Sequence, residues 1–222
     1  MRPQYINRGR SVSLDMAARL GLSLLLLTNF VIYMAGTAES AITRQANTNP
    51  AEFIKSSCRT TRYPVLCVQS LIGYASVIGH SERQLAMTAL SVSISRTRSS
   101  ASFVKKISQA RGLKPREYRA VQDCIETIGD SVDRLSQSVR ELDRTGKASG
   151  EDFVWHMSNV QTWVSSALTD DDTCLDGFAG PAMDGNVKAD IKDRVLLVAQ
   201  VTSNGLALVN HFASRHQHAE TP

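Results

Sequence analysis

Aromatic residues are scarce in this chain, and so are the residues that break regular structure. Phe, Trp and Tyr make up 6% of its 222 residues, which argues against a stacking surface for single-stranded nucleic acid. Gly (13) and Pro (6) are too few for a collagen or a low-complexity chain. Hydrophobic residues (42%) and charged residues (21%) are close to ordinary globular usage, and the length suits one domain with a possible extension.

Patterns that carry catalysis or metal binding are also missing. The chain has no Gly-x-Ser-x-Gly elbow, phosphate-binding Gly-rich loop or His-Glu-x-x-His pair, and no Cys-x-x-Cys. His156 lies beside the apolar stripe of a predicted helix. His216 and His218 lie near the C-terminus, and we expect no physiological metal site there. The run Asp170–Asp172 lacks calcium-loop spacing and is expected to form a polar helix end with a negative rim. We therefore expect no enzyme, cofactor or metal site, and favour a binding protein.

The first 38 residues are predicted to be a secretory signal peptide. Four arginines precede an apolar run from Leu20 to Ala35, and Gly36 and Ala38 form a small-x-small cleavage site. The alternative is an uncleaved signal anchor, but the apolar run of 16 residues is shorter than the roughly 20 that span a bilayer. Cleavage after Ala38 leaves residues 39–222 with 21 basic and 20 acidic residues, which gives no case for nucleic-acid or membrane binding.

Charge is divided unevenly along this mature chain. Residues 39–119 contain 13 basic and 4 acidic residues, whereas residues 120–222 contain 8 basic and 16 acidic residues. A division of this size predicts one acidic face, which suits a basic partner. The alternative is an ordinary solvated helix surface.

Helical periodicity dominates, and no segment alternates apolar and polar residues as a strand does. The clearest helix is predicted over Pro115–Leu142, followed by a stop at Gly146. Its apolar seam advances by three and four residues: Tyr118, Val121, Ile125, Ile128, Val132, Leu135, Val139 and Leu142.

Three further long helices are predicted around this one. The first runs from Ser81 to Arg111, the third starts near Ser149, and the last spans about residues 187–212. Their seams are Leu85, Thr88, Val92, Ser95, Ser99, Phe103 and Ile107; Phe153, Met157, Val160, Val164 and Ala167; and Ile191, Val195, Val198, Thr202, Gly205, Val209 and Phe212. Gly205 weakens its helix or lets a neighbour approach closely. The predicted fold class is therefore all-α, with an antiparallel, up-down-up-down four-helix bundle over residues 81–213. An N-terminal helical hairpin in residues 39–80 precedes the bundle, and a frayed tail, residues 214–222, follows it.

Four cysteines in a secreted chain predict two disulfides, for which three pairings exist. Cys124 and Cys174 lie 23 and 27 residues on either side of the turn near Lys147, so an antiparallel helix pair brings them to the same level. Cys58 and Cys67 bracket the predicted hairpin turn. The expected pairs are Cys58–Cys67 and Cys124–Cys174.

The surroundings of these cysteines resemble the plant pectin methylesterase inhibitor and invertase inhibitor family. The resemblance covers about residues 43–213 and is carried by these blocks: Phe53–Cys58, Thr61–Cys67, Asp123–Glu126, Asp130–Leu135, Asp172–Phe178, Thr202–Asn204 and Leu206–Leu208. It implies a four-helix bundle with an N-terminal hairpin and the same two disulfides. It also implies a stoichiometric protein inhibitor, without enzymatic activity, that is secreted to the cell wall, the apoplast.

The resemblance favours the pectin methylesterase inhibitor branch. Invertase inhibitors carry Pro-Lys-Phe before the last helix, where this chain has Pro181-Ala182-Met183-Asp184. An invertase inhibitor and the pro-region of an esterase are the alternatives. The expected partner is a pectin methylesterase in a 1:1 complex, with no small-molecule substrate. By position in the matching blocks, the resemblance implies contacts from Glu126, Asp130, Asp133, Thr173 and Asp176.

Overall fold

The computed structural model describes residues 49–220, with side chains up to residue 216. The predicted signal peptide, residues 1–38, and the first ten residues after it lie outside this part.

The described chain opens with a helical hairpin, as predicted. Helix α1 covers Pro50–Cys58 and α2 covers Pro64–Leu71; a 3₁₀ turn, Ile72–Tyr74, and a short helix α3, Ala75–Ile78, follow. Asn49 caps α1 by accepting a hydrogen bond from the Ala51 N–H (3.0 Å), and proline starts each of the first two helices, where its missing N–H costs nothing.

Four long helices make up the bundle: α4 (Glu82–Ser108), α5 (Pro115–Arg144), α6 (Gly150–Asp176) and α7 (Asn186–Glu220). Ser81 caps α4, since its hydroxyl accepts a hydrogen bond from the Gln84 N–H at 3.1 Å. Helix α7 is longer than predicted. The sequence predicts an end near Phe212, but the helix continues to Glu220, so residues 214–220 are helical and do not form a frayed tail.

Neighbouring bundle helices are antiparallel and form a closed ring. Helix α4 packs against α5 and α7, and α6 packs against the same two helices. The start of α4 meets the end of α5, where Arg83 bonds Asp143 at 2.8 Å. The end of α5 meets the start of α6, where Glu141 bonds His156 at 2.8 Å. The all-α up-down-up-down bundle is confirmed, and the described residues contain no strand.

The buried apolar side chains form three clusters. Phe153 and Leu142 lie in the cluster at one end of the bundle, whereas Val121 and Ile191 lie in the cluster at the other end. A third cluster holds the hairpin against α4 and α7 through Ile54, Leu71, Leu85 and Leu208. The hairpin therefore occupies the α4–α7 side of the bundle.

The predicted seam of α5 is only half right. Val121, Ile128, Leu135 and Leu142 are fully buried, but Ile125, Val132 and Val139 are half-buried and Tyr118 is exposed. The other buried positions on this helix are small or polar and include Ser131, Ser138 and Glu141. Apolar periodicity could not find them, because a buried serine has no apolar signature.

Helix α4 shows the same correction. The predicted seam includes Ser95 and Ser99, but both are exposed, whereas Ser93, Thr97 and Ser100 are buried. Two of these buried hydroxyls are satisfied within the helix: Ser93 donates to the Ala89 carbonyl (3.1 Å) and Thr97 to the Ser93 carbonyl (2.8 Å).

Helices α6 and α7 follow their predicted seams more closely. All five seam residues of α6 are buried. In α7, Gly205 is the point of close approach to α4, since a Cβ there would lie 3.3 Å from Leu90 Cδ2 and 3.6 Å from Ser93 Oγ. The alternative that Gly205 admits a neighbouring helix is therefore confirmed.

One helical stretch among residues 49–220, Asn186–His216 in α7, is long and apolar enough to cross a membrane by length and composition. Its apolar side chains Ile191, Val195 and Val209 lie in the bundle core. A core helix of a globular protein accounts for this composition.

Both predicted disulfides are present. Cys58–Cys67 closes the hairpin with a Cα–Cα distance of 5.6 Å, and Cys124–Cys174 joins α5 to α6 with a Cα–Cα distance of 4.3 Å. The cysteine pairs in the structure are therefore the ones that the spacing of the cysteines along the chain predicts.

The two disulfides should differ in their effect on stability. Their sequence separations are 9 and 50 residues. Loop entropy therefore predicts that the free energy of unfolding falls by about 3 kcal/mol in Cys58→Ala/Cys67→Ala and by about 4 kcal/mol in Cys124→Ala/Cys174→Ala. Urea unfolding of the two double variants measures both losses. The opposite order would contradict the loop-entropy account.

Candidate functional site

The three predicted contact carboxylates of α5 lie on one exposed helix face. Glu126, Asp130 and Asp133 are each exposed to solvent, and their spacing of four and three residues places them in one row. The row lies on the opposite side of the helix from the buried stripe of Ile128 and Leu135.

Helix α6, the neighbour that the Cys124–Cys174 disulfide ties to α5, carries the other two predicted residues. Thr173 and Asp176 are exposed, and the Thr173 hydroxyl donates to the Thr169 carbonyl at 2.7 Å. The buried Cys124–Cys174 disulfide joins the two helices at the same level, since Cys174 follows Thr173 and Cys124 precedes Glu126 by two positions. We call the exposed residues Glu126, Asp130, Asp133, Thr173 and Asp176 the α5–α6 face.

An ion pair joins the two helices beside this face. Arg134 Nε bonds Asp170 Oδ2 at 2.7 Å. Burial raises the pKa of Asp170 above its ordinary value and the charge of Asp130 raises it further, although the Arg134 guanidinium acts in the opposite direction. The two helices are thus linked covalently at Cys124 and electrostatically at Arg134.

Two further exposed carboxylates lie on α5 and α6 outside the predicted contact set, although the sequence analysis places one of them, Asp172, in a negative rim. Asp123 is exposed and lies three residues before Glu126, and Asp172 is exposed beside Thr173. The signal for Asp123 was present, since the steps from 123 to 126, 130 and 133 form one helical row. The surface is therefore more acidic than the five predicted residues suggested.

The side of α6 that carries Thr173 also carries an exposed tryptophan near the start of the helix. Trp155 lies 18 residues earlier, which is five full turns and about 27 Å along the same side of the helix. Its side chain is 65% exposed. An exposed tryptophan is the residue type most enriched among energetically dominant interface contacts.

The expectation that Asp170–Asp172 form a negative rim holds only for Asp172, because Asp170 is half-buried in its ion pair with Arg134 and Asp171 faces inward. Asp171 is completely buried. The pKa of Asp171 is raised to about 8, mainly because the carboxyl group is buried. The charges of Asp170 and Asp172 also raise this pKa, whereas the Ser131 side chain on α5 lowers it. No hydrogen bond of standard geometry reaches either of its carboxylate oxygens from the residues that the structure describes. Its position on the inner side of α6 could not be inferred from a run of three aspartates.

A second buried carboxylate fixes the opposite end of the α5–α6 pair. Glu141 accepts hydrogen bonds from His156 Nδ1 (2.8 Å), Asn159 Nδ2 (3.0 Å) and Arg144 Nη1 (2.7 Å). Burial raises the pKa of Glu141, but the hydrogen bonds from His156 and Asn159, with the Arg144 charge, outweigh burial and leave it below its ordinary value. His156 is thus a half-buried partner of a structural carboxylate.

The part of the chain that the structure describes contains no group of three or more His, Cys, Asp or Glu side chains arranged to hold a metal ion. The stretch Pro181–Met183 before α7 forms a 3₁₀ turn in which Met183 is buried.

The model of the plant invertase/pectin methylesterase inhibitor family matches residues 52–208, more than half of the chain. The chain belongs to this family. Its members inhibit enzymes and do not catalyse, so the chain is not an enzyme.

Curated relatives agree with this family assignment. The chain is 58% identical to pectinesterase inhibitor 9 of Arabidopsis thaliana over 167 residues, which cover 74% of this chain and 82% of that protein. It is 51% identical to the 21 kDa protein of Daucus carota over 174 residues (78% and 90%), and 47% identical to Arabidopsis pectinesterase inhibitor 11 over 197 residues (88% and 96%).

Solved structures of the family show the same fold. A mutant form of a pectin methylesterase inhibitor from Arabidopsis superposes with a TM-score of 0.55 at 19% identity, covering 69% of this chain and 92% of that one. A second Arabidopsis inhibitor structure gives a TM-score of 0.51 at 18% identity, covering 72% and 95%.

We expect Asp171 to make the stability of this family member depend on pH. An unfolded aspartate ionises near pH 4, whereas the folded Asp171 pKa is about 8. Between these values the folded state holds a proton that the unfolded state releases, so stability falls as pH rises, by up to ~1.4 kcal/mol per pH unit. Asp171→Asn stays neutral, and its unfolding free energy should therefore decline less than that of the wild type between pH 4.5 and 7.5.

Asp172→Asn is the control, because Asp172 is adjacent but exposed. Chemical unfolding at several pH values measures all three proteins. If the Asp171→Asn and wild-type curves run parallel, Asp171 is ionised in the folded state and the expectation fails.

Proposed function

We propose that this protein inhibits plant pectin methylesterase, also called pectinesterase, by forming a 1:1 complex in which the α5–α6 face covers the enzyme's pectin-binding cleft. The observation that carries the proposal is the 58% identity, over most of both chains, to a protein named pectinesterase inhibitor 9. Inhibition of this kind modulates the removal of methyl esters from cell-wall pectin.

The construction of the α5–α6 face supports a role in binding. Cys124–Cys174, Arg134–Asp170 and the Glu141 cluster hold the two helices together along their length. A surface that is already ordered loses little conformational entropy when it binds a partner. Rigid helices are therefore suited to block a cleft.

The charge of the face supports an electrostatically guided encounter. Its exposed carboxylates at positions 126, 130, 133 and 176, together with Asp123 and Asp172, form a negative surface. Such a surface attracts a partner with a basic rim and orients it, which raises the association rate more than the final affinity.

Inhibition of invertase is the less favoured function. The curated relatives reported above that carry an inhibitor name are pectinesterase inhibitors. The Pro181–Asp184 stretch lacks Lys and Phe, and its Met183 is buried, so it does not present that side chain to an enzyme.

We place the protein in the cell wall. The proposed target acts on wall pectin, the two disulfides suit an oxidising compartment, and the predicted signal peptide of residues 1–38 would direct secretion. Mass spectrometry of the mature protein isolated from apoplastic fluid tests the cleavage after Ala38.

Ester hydrolysis assays decide the proposed activity. The purified protein should slow several plant pectin methylesterases at equimolar ratio and leave invertase-catalysed sucrose hydrolysis unchanged. If no esterase is slowed, the proposed function is wrong; if only invertase is slowed, the alternative replaces it.

Asp130→Asn tests the role of the acidic face. Removing one exposed interface charge should slow association a few-fold at low salt and make it less dependent on salt concentration. Asp193→Asn on α7 is the matched control, because Asp193 is also exposed but lies on a different helix. Surface plasmon resonance with an esterase at several salt concentrations measures the rates. Identical salt slopes for Asp130→Asn and the wild type would refute an ionic contact.

A further inference from the structure

A groove lies between the hairpin and α4, away from the α5–α6 face. Its volume is about 420 Å³, within the range of sites for small ligands. Gln69 and Tyr74 line it from the hairpin, and Ser91, Ser95, Arg96 and Ser99 line it from α4. The three serines repeat at four-residue intervals, so they form one row along the groove.

The polar groups of the groove are available to a ligand. Arg96 is exposed and forms no ion pair with any described residue, and the hydroxyls of Ser95 and Ser99 make no hydrogen bond within residues 49–220. The Ser91 hydroxyl donates to the Met87 carbonyl at 2.8 Å, which leaves its oxygen free to accept. The groove thus offers one guanidinium and several hydroxyl groups.

Tyr74 adds an aromatic surface at the hairpin side of the groove. Its side chain is 46% exposed. The face of a tyrosine ring packs against the C–H face of a sugar ring, while its hydroxyl group stays available for hydrogen bonding.

Electrostatics select an anionic ligand. Among residues 49–220, no carboxylate lines the groove. The lining residues lie within residues 59–116, a stretch that contains 10 basic residues and one acidic residue, Glu82. A carboxylate placed beside Arg96 would form a bidentate, charge-assisted pair in this positive environment.

We propose that this groove binds an acidic oligosaccharide, a short chain of uronic-acid units. The Arg96 guanidinium pairs with one uronate carboxylate, the serine hydroxyls and the Gln69 amide bond the sugar hydroxyls, and Tyr74 packs on a sugar ring. The hydroxyl row, the single arginine and the exposed aromatic ring together match the polar, anionic and apolar parts of such a unit.

The position of the groove allows both activities at once. The hairpin packs on α4 and α7, whereas the proposed inhibitory surface belongs to α5 and α6 on the other side of the ring. A bound uronate chain would therefore leave the α5–α6 face open. De-esterified pectin carries such uronates, so the groove would retain the inhibitor where esterase has acted.

Calorimetric titration of the purified protein with trigalacturonic acid tests the site, and its methyl ester serves as the uncharged control ligand. Arg96→Gln should weaken binding about tenfold, and Tyr74→Ala should weaken it too. Arg98→Gln is the matched control, because Arg98 is two residues away and exposed but does not line the groove. Thermal unfolding shows whether each variant keeps its fold.

The outcomes separate specific binding from simple charge attraction. Stronger binding of the acid than of the ester, lost in Arg96→Gln and kept in Arg98→Gln, supports the site. No binding by the wild type, equal loss in both arginine variants, or equal binding of acid and ester overturns it. Esterase inhibition by Arg96→Gln should match the wild type, so failure of this proposal is distinguishable from failure of the inhibitory one.

Discussion

The covalent link between α5 and α6 is the constraint on which the rest of the structure depends. Cys124 and Cys174 lie at the same level of two antiparallel helices and hold their backbones 4.3 Å apart at that point. This close approach fixes the register in which Arg134 meets Asp170 and Glu141 meets His156. Residues 50 positions apart therefore form one rigid surface, and that surface carries the carboxylates proposed to contact the esterase.

The same close packing brings small polar groups into the interior. Ser131 and Ser138 on α5 and Ser93 and Thr97 on α4 occupy positions where larger side chains would separate the helices. Most of these hydroxyls donate to carbonyls of their own helix, so their burial costs little. Asp171 is different, because it is a carboxyl group and its burial favours the neutral form.

The distribution of charge gives the ring of helices two unlike sides. Exposed carboxylates gather on α5 and α6, while α4 and the hairpin are basic and contribute the polar groove. Because the hairpin covers α4 and α7, it leaves α5 and α6 uncovered. This arrangement would let the proposed inhibitory surface and the proposed uronate groove act on opposite sides of the protein.

The amino-acid sequence by itself determined the helices, their antiparallel order, the disulfide pairs and the row Glu126, Asp130 and Asp133, because these depend on local periodicity and on spacing along the chain. Only the tertiary structure decided that Ser93 is buried while Ser95 is exposed, that Asp171 faces inward, and that the hairpin and α4 enclose a groove. Serine and aspartate suit either environment in sequence terms. Their burial depends on how closely neighbouring helices approach, which is a property of the packed bundle.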